Sequence, residues 1–315
     1  MSTVPDTDAG AFNRSTAQPA VPARTRPFYW SLRRELWEYR SIYIAPLVVA
    51  GIVLFGYAVR LAHLPHMVQA AESLPWWKQF LELALPFAIA MASILVTGVV
   101  VAVFYCLGAL NNERRDRTIL FWKSLPVSDL TAVLSKACVP LIILPVVVLA
   151  IALVTQLLML AAGTAVLLAR GTGAAPLWSH WPLGQASLLL GYLVVVGTLW
   201  YAPIYGWLLV VSAWARRMTF LWAVLVPIGL SVVEKIALDT SYVGGLIRYR
   251  LRGFLLEAFA SPPHNVHAIQ ANGIDPLSLL TPGKFFSSPG LWVGLVVAAA
   301  FIAASVWLRR DREPI

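Results

Sequence analysis

Long apolar runs broken by short polar intervals dominate this chain. Six runs reach the about 20 residues that a helix needs to cross the hydrocarbon core of a bilayer. They are Ile42–Ala62, Ala84–Leu110, Ala137–Ala169, Ala186–Ala215, Met218–Leu238 and Leu291–Leu308. The third and fourth exceed a span, which predicts tilt or projection beyond the membrane. Pro140 and Pro145 lie early in the third, and Pro203 with Gly206 midway along the fourth. A proline lacks the backbone donor and crowds the preceding turn, so both places predict kinks.

The polar intervals carry their own patterns. In residues 28–40, Leu32, Leu36 and Tyr39 recur at helical spacing among Arg33, Arg34 and Arg40, with Phe28, Tyr29, Trp30 and Trp37 alongside. This predicts an interfacial helix anchored by aromatic and cationic side chains. Residues 1–27 are rich in Ala, Pro, Thr, Ser and Arg and lack the apolar stretch of a signal peptide. They read as a disordered cytoplasmic tail. In the interval 239–289, Leu246, Ile247, Phe254, Leu255 and Ala258 suggest an apolar helix face with Arg248, Arg250 and Arg252 emerging between them. The expected elements there are short or re-entrant helices at the outer surface.

Composition agrees with burial in lipid. Charged residues make up 12% of the chain and hydrophobic ones 59%, about half the charge of a soluble domain. The net charge of +9 therefore reads as loop asymmetry and implies no nucleic acid. With both termini cytoplasmic, inner segments hold 16 Lys and Arg and outer ones seven, with Lys235 near the end of the fifth run. That count favours both ends inside. The two cysteines, Cys106 and Cys138, form no disulfide framework. All five histidines fall on the outer side, and His264 with His267 lack the further ligands a metal site needs. Glu234 and Lys235, near the outer end of the fifth run, are costly to bury and are candidates for lining an exit, together with Arg248 and Arg252.

The most ordered polar interval is Asn111–Lys136, which holds five of the 24 basic residues. Charges come first, then Thr118, Ile119, Leu120, Phe121 and Trp122. Leu125-Pro126 breaks the helix, and Ser128 with Asp129 makes a cap and first turn for a new one. Leu130, Val133, Leu134 and Ala137 give that helix an apolar face leading into the third run. Charge alone would set topology, whereas this order describes a protruding cytoplasmic element.

Glu113-Arg114, Thr118, Leu125-Pro126, Ser128 and Lys136 resemble the pattern of bacterial ABC-2 type transporter permeases. Six spans, internal termini and a long outer segment before the last span fit the same family. The resemblance implies an all-α integral membrane protein with an ABC-2 (type V exporter-like) transmembrane domain in the bacterial inner membrane. It implies that the 111–136 loop is a coupling helix docked on a separate cytoplasmic ATPase in two copies, with Glu113, Arg114, Arg117, Phe121 and Trp122 as contacts. A second permease copy or a homologous one completes the path, bathed in membrane lipids. The cargo expected is lipid-like, peptide or an amphiphilic drug.

The chain has no G-x-x-x-x-G-K-[ST] motif, and Pro282-Gly283-Lys284-Phe285 lacks both the glycine-rich approach and the hydroxyl. ATP and Mg are thus expected in the partner. An intramembrane enzyme is disfavoured because H-E-x-x-H and G-x-S-x-G are missing. A membrane scaffold or sensor that uses the same loop to hold a cytoplasmic protein is the main alternative.

Overall fold

The computed structural model of the protein describes residues 27–71, 73–115, 128–260 and 276–311. Helix α1 (Pro27–Glu38) leads into α2 (Ser41–Leu61). Two short helices, α3 (Leu64–Ala71) and α4 (Trp76–Leu83), precede α5 (Leu85–Ala109) and its extension α6 (Asn111–Arg115). Helix α7 (Asp129–Cys138) joins α8 (Leu144–Ala169) through a π turn at Val139–Ile143. Then come α9 (Ala175–His180), α10 (Leu183–Trp214), α11 (Thr219–Leu238) and α12 (Tyr242–Ala258). A 3-10 turn at Pro276–Leu279, α13 (Pro282–Ser287) and α14 (Pro289–Asp311) complete the described chain.

Six of these helices are long and apolar enough to cross a membrane, and each corresponds to one of the six apolar runs. Among the described residues no strand occurs, only an isolated bridge between Phe259 and Leu280. The third run is a single helical rod of 41 residues from Asp129 to Ala169. At the first place where a kink is expected, a π turn containing Pro140 absorbs the missing proline donor, whereas at the second Pro203 and Gly206 lie inside one unbroken α-helix. The fourth run starts three residues earlier than expected, at Leu183 after Pro182.

Helix α10 is the hub. It pairs most extensively with α14 and also packs on α5, α8, α11 and α12. Gly206 makes the α10–α14 contact close: a Cβ there would lie 3.1 Å from Phe301 Cβ and 3.2 Å from the Ala298 carbonyl oxygen. Small residues permit this approach where helices associate without a hydrophobic drive between them. Helix α11 sits at the other extreme, with 11% of its apolar window buried.

At the end expected to face outward, α3, α4 and α9 form a cap that sequence periodicity did not suggest. Leu64, Val68, Ala71 and Leu177 are buried there with Phe87 and Trp181. His180 Nε2 lies 2.9 Å from Gln79 Oε1, and Arg60 donates to the Glu82 carbonyl at 2.7 Å.

Helix α12 corrects one expectation. Leu246 is 67% exposed, and the inward side carries Arg250, Gly253, Phe254 and Ala258. An arginine is accommodated because its guanidinium lies 4.5 Å from the Trp200 ring centroid and donates to the Gly290 carbonyl at 2.9 Å. Gly294 on α14 leaves the room that the guanidinium occupies, and Gly290, one turn earlier, leaves room for the Tyr249 ring.

Candidate functional site

The expected interfacial helix buries Leu32, Leu36 and Tyr39 against the main core. Its aromatic face stays open: Trp30 is 57% and Trp37 65% exposed, with the Arg33 guanidinium over both rings. Glu35 falls on the buried face, three residues after Leu32, at 3% exposure. A carboxylate there needs a cation and hydrogen bonds to offset desolvation.

Those partners come from distant parts of the chain. Lys136 Nζ donates to Glu35 Oε1 at 2.7 Å and lies 3.1 Å from Glu113 Oε1. Tyr105 Oη donates to the other Glu35 oxygen at 2.8 Å. Arg309 Nη1 donates to Glu113 Oε2 at 2.6 Å, and its Nε donates to Asp129 Oδ1 at 3.1 Å. Arg34 Nη1 stands 3.7 Å from Glu113 Oε1. Arg34 also pairs with Glu38 at 3.0 Å, so four carboxylates (Glu35, Glu38, Glu113 and Asp129) alternate with three cations (Arg34, Lys136 and Arg309).

Local structure places each group. The break between α5 and α6 frees two amides, and Leu110 N and Asn111 N both donate to Ser212 Oγ of α10 at 3.0 Å. This turns Glu113 and Arg114 inward, each 5% exposed. Arg114 Nη1 donates to the Ala213 carbonyl at 2.7 Å. Ser128 caps α7 as expected, accepting from Thr131 N at 3.2 Å. Asp129, expected only to complement the helix N-terminus, also reaches Arg309. Leu110, Val133 and Ala213 form an apolar floor with Ile302, Val306 and Leu308 packed against it. Beside the charges lies a cavity of about 360 Å³ whose lining includes Ser31, Ser128, Ser135 and Arg310. Burial raises the Tyr39 phenol above its ordinary value. It remains a neutral group, accepting from Asn112 Nδ2 at 3.4 Å and meeting Tyr105 edge-on.

Of the docking residues expected from sequence, Glu113 and Arg114 are therefore tied inside the chain. Arg117, Phe121 and Trp122 lie outside the described residues, as do Thr118 and Leu125-Pro126. Sequence reasoning missed Glu35, Tyr105 and Ser212 altogether, and it counted Arg309 only as terminal charge. The one available signal was a carboxylate placed on the apolar face of an amphipathic helix.

The exit candidates do not converge. Glu234 accepts from Thr240 Oγ1, Tyr242 N and Val243 N at 2.9, 2.6 and 2.7 Å, so it caps α12 from the preceding helix. Lys235 turns outward to Asp239 at 2.7 Å and is 63% exposed. Arg248 and Arg252 are exposed on α12. Arg250, not singled out in sequence, is the arginine that joins α12 to α10 and α14.

Among the described residues, no group of three or more His, Cys, Asp or Glu is placed to hold a metal ion. His264 and His267 lie outside those residues. No family model matches the chain, and no curated protein or solved structure matches it either.

Proposed function

We propose that the chain is the membrane-spanning subunit of an ATP-driven ABC-2 type exporter, with ATP hydrolysed by a separate cytoplasmic subunit. One observation carries this reading. The charge network ties both flanks of the 116–127 segment, through Glu113 on one side and Asp129 with Lys136 on the other, to α1 and α14. Helix α7 continues as one rod into the third run. A push on the segment is then delivered to the third and sixth spans together, because buried ion pairs resist separation.

In this reading Arg117, Phe121 and Trp122 present the docking surface. Glu113 and Arg114 brace its root. The distribution of basic residues supports cytoplasmic termini, and the resemblance to ABC-2 permeases supports a bacterial inner membrane. Two copies, or one copy and a homologous partner, enclose the path for a lipid-like, peptide or amphiphilic cargo.

The test is purification of the tagged chain from native membranes, followed by ATPase assay and identification of co-eluting P-loop proteins. The expected outcome is a stoichiometric ATPase whose recovery falls with Trp122→Ala and with Arg117→Ala, while the elution profile of the permease is unchanged. Full ATPase recovery with both variants removes the docking role. Absence of any ATPase favours a scaffold or sensor.

A further inference from the structure

At the same end of the bundle as the charge network lies a second cavity of about 600 Å³, formed where α6 faces the turn from α10 to α11. Arg115, Arg216 and Arg217 line it with Asn111, Asn112, Met218 and Thr219, and none of the described residues that line it is a carboxylate. Among the described residues none of these three arginines enters an ion pair. Arg34, Lys136 and Arg309 nearby each have a carboxylate. Three cations gathered around one hollow, with no acid partner among the described residues, make a strong field for an anion.

The chain on either side of Arg216–Thr219 is apolar. Trp214 and Trp222 meet edge-on at 5.2 Å, 38% and 39% exposed. Phe220 and Leu221 are 58% and 50% exposed on the same turn. Above them α11 presents Leu225, Ile228 and Val232 to the surroundings. Its first turn has no side-chain cap, because Met218 offers no oxygen and lies in the left-handed region at φ 53°. The basic cup is thus followed directly along the chain by the exposed apolar surface of α11, which suits a ligand with an anionic head and hydrocarbon tails.

We propose that this cup binds the phosphate of an anionic phospholipid, with Arg115, Arg216 and Arg217 around the headgroup and the acyl chains along α11. A zwitterionic lipid brings an ammonium that none of the described residues lining the cup has a carboxylate to receive. A free phosphate or nucleotide makes no use of the apolar surface of α11. The inference rests on the membrane-embedded fold and not on an ATPase partner, so failure to find the partner leaves it standing.

The test is native mass spectrometry of the full chain in a neutral detergent, titrated with phosphatidylglycerol or phosphatidylcholine of identical acyl chains. The anionic lipid is expected to bind on the order of tenfold more tightly, as basic side chains at a surface attract anionic headgroups. Replacing Arg115, Arg216 and Arg217 together by Gln is expected to bring the two lipids to parity. Arg248→Gln with Arg252→Gln is expected to keep the preference. Should the triple variant lose its monodisperse elution, Met218→Asp decides: it leaves the three arginines and puts a carboxylate in the cup, where the left-handed backbone tolerates Asp. Loss of preference in Met218→Asp supports the site. Equal binding of the two lipids by the unaltered chain, or an unchanged preference in both cup variants, overturns it. Displacement of the lipid by excess inorganic phosphate at constant ionic strength assigns the cup to free phosphate and overturns it as well.

Discussion

Lys136 donates to Glu35 across 2.7 Å although 101 residues separate them. Lys136 is 2% and Glu35 3% exposed, so neither charge retains water to fall back on. The pair and its neighbours decide how α1, α6, α7 and α14 are held at one end of the bundle.

Breaking this network from one side is expected to be costly. Lys136→Met leaves Glu35 and Glu113 buried beside each other, and removing one partner of a buried pair destabilises by about 3–5 kcal/mol. The double variant Lys136→Met with Glu35→Gln is expected to be less destabilised than the sum of the singles, since the orphaned charge is gone. Unfolding of the purified chain in mixed micelles measures both, and strict additivity would mean that the two side chains act independently.

Gly206 predicts a steric effect with an internal control. Valine there meets the Ala298 backbone oxygen, 3.2 Å from its Cβ, and overpacking a close contact costs about 1–3 kcal/mol. Gly229→Ala on α11 has nothing within 4 Å of the new Cβ. It is expected to be neutral or stabilising, because alanine favours helix over glycine.

For α12, Arg250→Lys retains the charge but loses the planar stack on Trp200 and the reach to Gly290. Hydrogen exchange across Tyr242–Ala258 is expected to quicken, with a changed emission of the indole that Arg250 covers. Unaltered exchange would show that the remaining bonds, among them Trp200 Nε1 to the Arg250 carbonyl at 2.8 Å and Tyr192 Oη to the Ala258 carbonyl at 2.9 Å, hold the helix without the guanidinium.

Glu234→Ala removes the acceptor of Tyr242 N and Val243 N. The first turn of α12 is expected to exchange faster than the rest of that helix, because its leading amides lose their cap. Glu234→Gln keeps one carbonyl oxygen and is expected to fall between. A gate charge acting on cargo, by contrast, would leave exchange untouched in both variants.

Much of the architecture was legible before any coordinates. Six apolar runs of bilayer length became six membrane-capable helices, since hydropathy reports directly the helix lengths that a hydrocarbon slab demands. The Ser128 cap was legible for the same local reason: a hydroxyl and the amide it accepts from lie three residues apart. Leu32, Leu36 and Tyr39 turned inward as their spacing required.

The partnerships were not legible. Glu113 and Arg309 stand 196 residues apart, and no periodicity relates them. In sequence both read as surface charge on a basic, loop-facing end. Arg250 is one of three arginines at alternate positions of α12, and only Trp200, the Gly290 carbonyl and the space left by Gly294 distinguish it. The sequence by itself determined how many helices are long and apolar enough to cross a bilayer, the Ser128 cap and the turn of α1 toward the core, because those properties depend on neighbours within a turn or two. Tertiary structure alone decided which charges are buried and with whom, because a charge can leave water only where distant segments deliver its counter-charge and hydrogen bonds together.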